Sequence, residues 1–444
     1  MTTRTRRVSV DQGRWRMNAG FFVHNLGCKV NRVESDLIHA KLLAKGACAT
    51  SRDEADVIII NTCTVTAEAD SKTRKAVRQA VTAPKAPWVV VTGCSAVLQS
   101  KNLASLGSRV IVEADRTVAL KRAYTLLQSI GQDPDSPVVP SGIESDEHGS
   151  TNLNIPPSRI GFGFNTRVGV KIQDGCDNRC SFCIVSTARG PARSTPVQEV
   201  ISEVSSIARS GARELVFTGV NMGTYASGGL DLVALLQACL IVAPKTRIRL
   251  SSIEPLHVSH ELIDLMAASS GRICAHLHLP LQSGSDRILR LMNRPYTTGQ
   301  FTDVIAYAQN VLPNLAITTD VIVGFPGETE QDFDQTLELC TSIGFSKIHV
   351  FRYSKRPGTP AATMMNQVPA PEKAKRSHHL IELSDRMAAF DAARRVGITE
   401  NVLIERAGRG TSESYHTVEL TREYTPGSLV PIEFTAHKGA ILIG

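Results

Sequence analysis

Residues 168–183, VGVKIQDGCDNRCSFC, join a strand-like run, 168–173, to a loop carrying Cys176, Cys180 and Cys183 in the spacing CxxxCxxC. Three thiols on one short loop after a strand suit the corner of an iron–sulfur cube, which cysteine thiolates hold. A four-iron cube bound by three cysteines keeps one iron open for another molecule. The alternative is zinc, whose structural sites want four ligands in paired CxxC knuckles, and no second pair stands nearby.

Downstream, the runs 214–218, 247–252, 275–281, 316–323 and 347–353 alternate with helical patterns. With 168–173 they make six βα units, which predict an α/β fold with a partial (β/α)6 barrel and its chemistry at the C-terminal strand ends. The cysteine loop follows the first of these strands, where such chemistry belongs.

Upstream, the runs 21–26, 56–61, 88–92 and 110–112 also alternate with helices, predicting a separate α/β parallel-sheet domain. Cys28, Cys63 and Cys94 each stand just past one of the first three strands. All strand C-termini of a parallel sheet lie at one edge, so loops about thirty residues apart in sequence can converge there. Cysteine is also a common small buried residue, and Cys48, Cys239, Cys274 and Cys340 are read that way.

These patterns divide the chain into a basic extension 1–20, an N-terminal domain 21–130, a Pro-, Gly-, Ser- and acid-rich linker 131–160, a barrel domain 161–395 and a small β domain 396–444. The extension carries Arg4, Arg6, Arg7, Arg14 and Arg16 against Asp11 but no apolar core of a signal peptide, and Met17 is an alternative start. The barrel domain closes with a basic amphipathic helix over 371–395, with Leu380, Leu383, Met387 and Phe390 on its apolar stripe.

The 444 residues, 42% hydrophobic and 20% charged, contain no uncharged apolar stretch long enough to span a membrane. Ten cysteines without a signal peptide point to a reducing, cytoplasmic setting and to metal binding rather than a disulfide scaffold. The net charge of +7 is compatible with an RNA partner. The segment 397–444 is itself net acidic, so phosphate attraction would fall to Lys373, Lys375 and Arg376 or to Lys72, Arg74, Lys75 and Arg78, unless these are solvated helix faces.

Residues 26–31 (LGCKVN), 61–66 (NTCTVT) and 91–94 (VTGC), with 218–221 (TGVN), 278–285 (HLPLQSGS), 320–328 and 345–362, resemble the radical S-adenosylmethionine (SAM) methylthiotransferases. Within that family they are most similar to the branch acting on threonylcarbamoyladenosine in tRNA. Ser95-Ala96-Val97 after Cys94 and Arg352 before Tyr353 depart from the pattern.

The resemblance implies a radical SAM barrel, an auxiliary cluster in the N-terminal domain and a terminal TRAM domain that helps hold RNA. It implies two 4Fe–4S clusters, on Cys176, Cys180 and Cys183 and on Cys28, Cys63 and Cys94, two SAM molecules per turnover, tRNA as partner and an electron donor of the flavodoxin or ferredoxin type. Sulfur insertion at an unactivated aromatic C–H calls for a radical, which the first cluster would generate from SAM while the second delivers methylated sulfur. Both open irons would face one cavity. The target base, beside the anticodon, would be splayed out of its loop.

Phe182 could pack on the SAM adenine and Gly219 could let the backbone approach its methionine end, with packing and turn roles as alternatives. Glu254, Asp320 and Glu328 stand near strand ends, where ribose contacts and helix capping both fit. Three rival functions remain: the same chemistry on isopentenyladenosine tRNA or a ribosomal protein aspartate, a radical SAM protein with structural N-terminal cysteines, and a non-enzymatic RNA-binding protein with a structural metal.

Overall fold

The computed structural model describes residues 19–131 and 166–444, so most of the basic extension and of the expected linker lies outside the described residues. The described residues form two compact units, one of 19–64 and 68–131, the other of 65–67 and 166–444.

In the first unit β1 (Gly20–Asn25), β2 (Cys48–Ala49), β3 (Val57–Thr62), β4 (Trp88–Gly93) and β5 (Val110–Val112) form a parallel sheet in the order β2-β1-β3-β4-β5. Strands β3 and β4 are buried on both faces, which is why they read as unbroken apolar runs. Val57 and Ile59 pack with Ile38, Leu42 and Leu127 on one face, and Ile58 and Ile60 with Val77 and Ala80 on the other. The short edge strand β2 has no sequence signature, since two residues carry no periodicity to read.

In the second unit β6 (Arg167–Lys171), β7 (Glu214–Thr218) and β8 (Arg247–Leu250) pair in parallel, as do β9 (His276–His278), β10 (Ala316–Val323) and β11 (Lys347–Arg352). Parallel bridges Ile248↔Ile273 and Ser252↔His278 join the two halves into one six-stranded curl, with β6 and β11 as its edges. An apolar core running from Val170, Phe217 and Leu250 to Leu277, Val321 and Phe345 fastens the helices around it.

The helix expected over 371–395 runs Ala370–Arg394. Leu380 and Leu383 are buried as expected, but Phe390 is 73% exposed and so is not part of the apolar stripe. At the spacing Leu380, Leu383, Met387, Phe390 the stripe drifts around the helix and leaves the core at its end.

The chain closes with β12 (Thr399–Arg406), β13 (Arg409–Thr411), β14 (Thr417–Glu419), β15 (Leu429–Glu433), β16 (Ala436–Lys438) and β17 (Ile441–Ile443), a curled sheet in the order β15-β12-β13-β14-β17-β16 around Val402, Ile404, Val418, Phe434 and Leu442. Arg247 and Arg249 on β8 tie this small barrel to the larger one. Both pair with fully buried Glu214, and they donate to the carbonyls of Asn401, Thr411, Ser412 and Glu413.

Candidate functional site

The loop of Cys176, Cys180 and Cys183 leaves the C-terminal side of β6 and is clamped on several sides. Gly175 has φ +71° and a side chain there would run into the Pro191 carbonyl, so only glycine lets the chain turn into the loop. Gln173 reaches from beneath: its amide donates to the carbonyl of Gly175 (2.9 Å) and accepts from the backbone of Val220 and Asn221. Asp174 holds the loop's return through Arg189 (2.8 Å) and Lys171 (3.1 Å). Burial alone would raise its carboxyl, but these two cations keep it well below the usual carboxylate range. From the far side Ser181 bonds the carbonyls of Leu291 and Met292, and Asn293 donates to Arg179.

Three donors aim at the sulfurs. The backbone N–H groups of Asn178 and Val185 lie 3.4 Å from Cys176 Sγ and Cys183 Sγ, and Arg294 Nη1 lies 3.0 Å from Cys180 Sγ. Arg294 is locked by its ion pair to Glu254 and by Tyr296, whose hydroxyl is 3.2 Å from Nε. Burial pushes all three thiols up, Cys183 to about 12. For Cys180 burial outweighs even the neighbouring Arg294, and thiols held this way stay protonated until bound iron deprotonates them. With donors already aimed at sulfur, this set fits a cluster.

Phe182 packs edge-on to Phe325 and lines a cavity of about 160 Å³ with Cys183, Gln282, Asp320, Arg352 and Tyr353. Asn221 Oδ1, Ser251 Oγ and Tyr353 Oη are buried without a partner, and they stand at or just past strand ends around this side of the barrel. Buried polar groups left without a partner suit a polar ligand, as SAM would be. At Gly219 the close approach is to Gln173, whose side chain a β-carbon would meet at 3.0 Å.

Of the three carboxylates, Glu254 supports Arg294 and Asp320 lies 3.3 Å from His278 Nε2. Glu328 is structural: it bonds Gly324 N–H and pairs with buried Arg376. Arg376 also pairs with Glu330 and Glu372, so it is neither a solvated face nor a free phosphate ligand. Lys72 and Lys75 are exposed.

In the first unit, Cys28, Cys63 and Cys94 follow β1, β3 and β4, three strands adjacent in the sheet. A buried polar net lies under their loops. Asn31 Nδ2 donates to Asn61 Oδ1 (3.1 Å) and the Thr62 carbonyl (2.8 Å), and Asn61 Nδ2 returns to the Asn31 carbonyl (2.9 Å). Ser95 Oγ donates to the Cys63 carbonyl (2.7 Å), and Cys28 Sγ lies 3.2 Å from Asn31 Oδ1. Gly93, at φ +92°, comes so close to Asn61 and Thr62 that a β-carbon would lie 2.5 Å from their oxygens. Cys239, Cys274 and Cys340 are buried, as small core residues are, while Cys48 is half-buried. In the sequence Ser95 shows only as a departure from a motif, and Arg294 carries no signal, standing 114 residues from Cys180.

An open six-stranded βα curl with a three-cysteine loop after its first strand defines a radical SAM protein. Residues 170–340 match the Radical SAM superfamily, and 20–112 match a family described as Uncharacterized protein family UPF0004. Threonylcarbamoyladenosine tRNA methylthiotransferase MtaB of Bacillus subtilis is 37% identical over 90% of this chain and 88% of its own. Its counterpart in Chlamydia pneumoniae is 35% identical over 86% of each. The tRNA-2-methylthio-N(6)-dimethylallyladenosine synthase of Pelotomaculum thermopropionicum is 32% identical over 94% of this chain and 95% of its own. The chain belongs to the radical SAM methylthiotransferase family. Among solved structures, the radical SAM methyltransferase TsrM of Kitasatospora setae shares the fold, with TM-score 0.53 and 15% identity over 78% of this chain and 77% of its own. Among the described residues no helix is long and apolar enough to cross a membrane.

Proposed function

We propose that this protein methylthiolates N6-threonylcarbamoyladenosine at position 37 of tRNA, giving the 2-methylthio derivative. The observation that carries the reading is the pairing of a three-cysteine loop after β6 with three cysteines that follow adjacent strands β1, β3 and β4. The first relatives named above act on this nucleoside by name.

Cys176, Cys180 and Cys183 hold one 4Fe–4S cluster, and Cys28, Cys63 and Cys94 hold the other. When bound, these groups and SAM supply the one-electron chemistry and the sulfur that an unactivated C–H demands. Arg294 fixes the position of Cys180 and sets positive charge beside it. Gln173 couples the cysteine loop to the turn of Gly219 and Asn221, so both strand ends move as one piece. Asn221, Ser251 and Tyr353 offer the polar atoms that take up SAM, with Phe182 as the apolar wall. Asn31, Asn61 and Ser95 hold the three N-terminal cysteine loops in register. Residues 21–130, 161–395 and 396–444 act as auxiliary-cluster, radical and TRAM-type RNA-holding modules. A flavodoxin- or ferredoxin-type protein of the cytoplasm supplies the electron.

Mass spectrometry of tRNA nucleosides from a deletion strain tests the reading. The methylthio nucleoside disappears on deletion and returns with the wild-type gene but not with Cys180→Ala or Cys63→Ala. Loss of 2-methylthio-isopentenyladenosine instead, with the threonylcarbamoyl product untouched, would assign the protein to the other branch.

A further inference from the structure

Away from the six cysteines, the barrel lumen gathers two imidazoles and a carboxylate that the proposed chemistry does not use. His278, Asp320 and His349 come from the three neighbouring strands β9, β10 and β11. Asp320 is in register with His349, and His278 with Thr318, two residues from Asp320 on the same face of β10. One ligand atom from each lies within 4.8 Å of the other two. All three side chains are half-buried.

We propose that His278, Asp320 and His349 bind a divalent first-row transition ion, distinct from both clusters. Two imidazoles and one carboxylate on one side of an ion, with the other side open, is a donor set that Zn²⁺, Mn²⁺ and Fe²⁺ accept. A hydrogen bond that would orient the imidazole is in place: Thr318 Oγ1 lies 2.9 Å from His278 Nδ1, so an N–H there can donate to the hydroxyl and leave the Nε2 lone pair facing Asp320. A lone pair 3.3 Å from a carboxylate oxygen is repulsive unless a proton or a cation lies between them. Among the described residues no lysine or arginine pairs with Asp320, so no basic side chain neutralises it. An entry path exists too, since His349 and Thr318 line a cavity of about 840 Å³ between the open edge of the barrel and the small β domain. Through Asp320 the ion would border the cavity of Phe182 and Cys183, placing its open positions toward a polar or anionic substrate group.

Mn²⁺ is the probe, because both clusters in the doubly charged state are silent in electron paramagnetic resonance while free Mn²⁺ is not. Titrating the holoenzyme should remove the free-ion signal saturably, with one ion taken up per chain. His349→Ala and Thr318→Val should weaken uptake by roughly tenfold or more with cluster iron unchanged. If His349→Ala loses its iron, His349→Gln, which keeps the volume, decides in its place. Absence of a saturable site in the wild type, or equal uptake by the iron-replete variants, would overturn the proposal. Either result is independent of which nucleoside the enzyme modifies.

Discussion

Arg294 reaches Cys180 across 114 residues of sequence and places Nη1 3.0 Å from its sulfur, while Glu254 and Tyr296 occupy the rest of the guanidinium. A cation donating to a cluster thiolate stabilises the reduced, more negative state, since hydrogen bonds to the sulfurs help set the potential. Arg294→Gln should therefore retain the cluster but shift its reduction potential downward and slow SAM cleavage. A redox titration followed by electron paramagnetic resonance, made in a Cys63→Ala background so that one cluster reports, checks this. Arg294→Lys, which keeps the charge and loses the fork, should fall between. An unchanged potential in Arg294→Gln would reduce the contact to packing.

Gly93 should be irreplaceable for a different reason. Its φ of +92° and the oxygens of Asn61 and Thr62 at 2.5 Å from any β-carbon leave no room for alanine. Gly93→Ala must displace the start of the helix Cys94–Leu98, and with it Cys94. Iron analysis should then give about four irons per chain where the wild type gives about eight, the loss falling on the N-terminal cluster. Retention of all the iron would show that Gly93 does not set the position of Cys94.

Asn61 makes a test of the polar net itself. Its amide is fully buried and serves Asn31 twice and Ser35 once. Truncation strands buried donors and acceptors, at about 1–3 kcal/mol. Asn61→Ala should lower the urea midpoint of the first unit accordingly, and a midpoint shift near zero would mean that water replaces the amide.

Why the cysteines could be read from sequence and these supports could not is a matter of periodicity. The strands behind Cys63 and Cys94 carry apolar runs of four residues buried on both faces, and those behind Cys28 and Cys176 carry the shorter runs 21–23 and 168–170. Strands β7 and β10 span the same residues, 214–218 and 316–323, as their sequence runs. Arg294 and Asn61 are polar residues whose partners lie far away in the chain, so no local pattern marks them. The basic helix over 370–394 shows the converse: its composition suggested a surface for phosphate, yet Arg376 is enclosed by three glutamates that only the tertiary structure brings there.

Glu214 supplies the sharpest pH prediction. Burial would raise its carboxyl, but Arg247 and Arg249 together hold it at about 2, below its ordinary 4.5. A carboxylate whose folded value is depressed stabilises the fold above its unfolded value, and that contribution is lost as pH falls from about 4.5 through about 2. The loss falls on the joint between the two barrels, because the same arginines hold the carbonyls of Asn401, Thr411, Ser412 and Glu413. Acid should thus loosen the second unit across this window. Glu214→Gln should be less stable at neutral pH by about 3–5 kcal/mol, since two buried guanidiniums lose their counter-charge. It should also show a flatter stability profile between pH 4.5 and 2 than the wild type. Urea unfolding at a series of pH values measures both, and parallel profiles for the two proteins would place the acid sensitivity in another carboxylate.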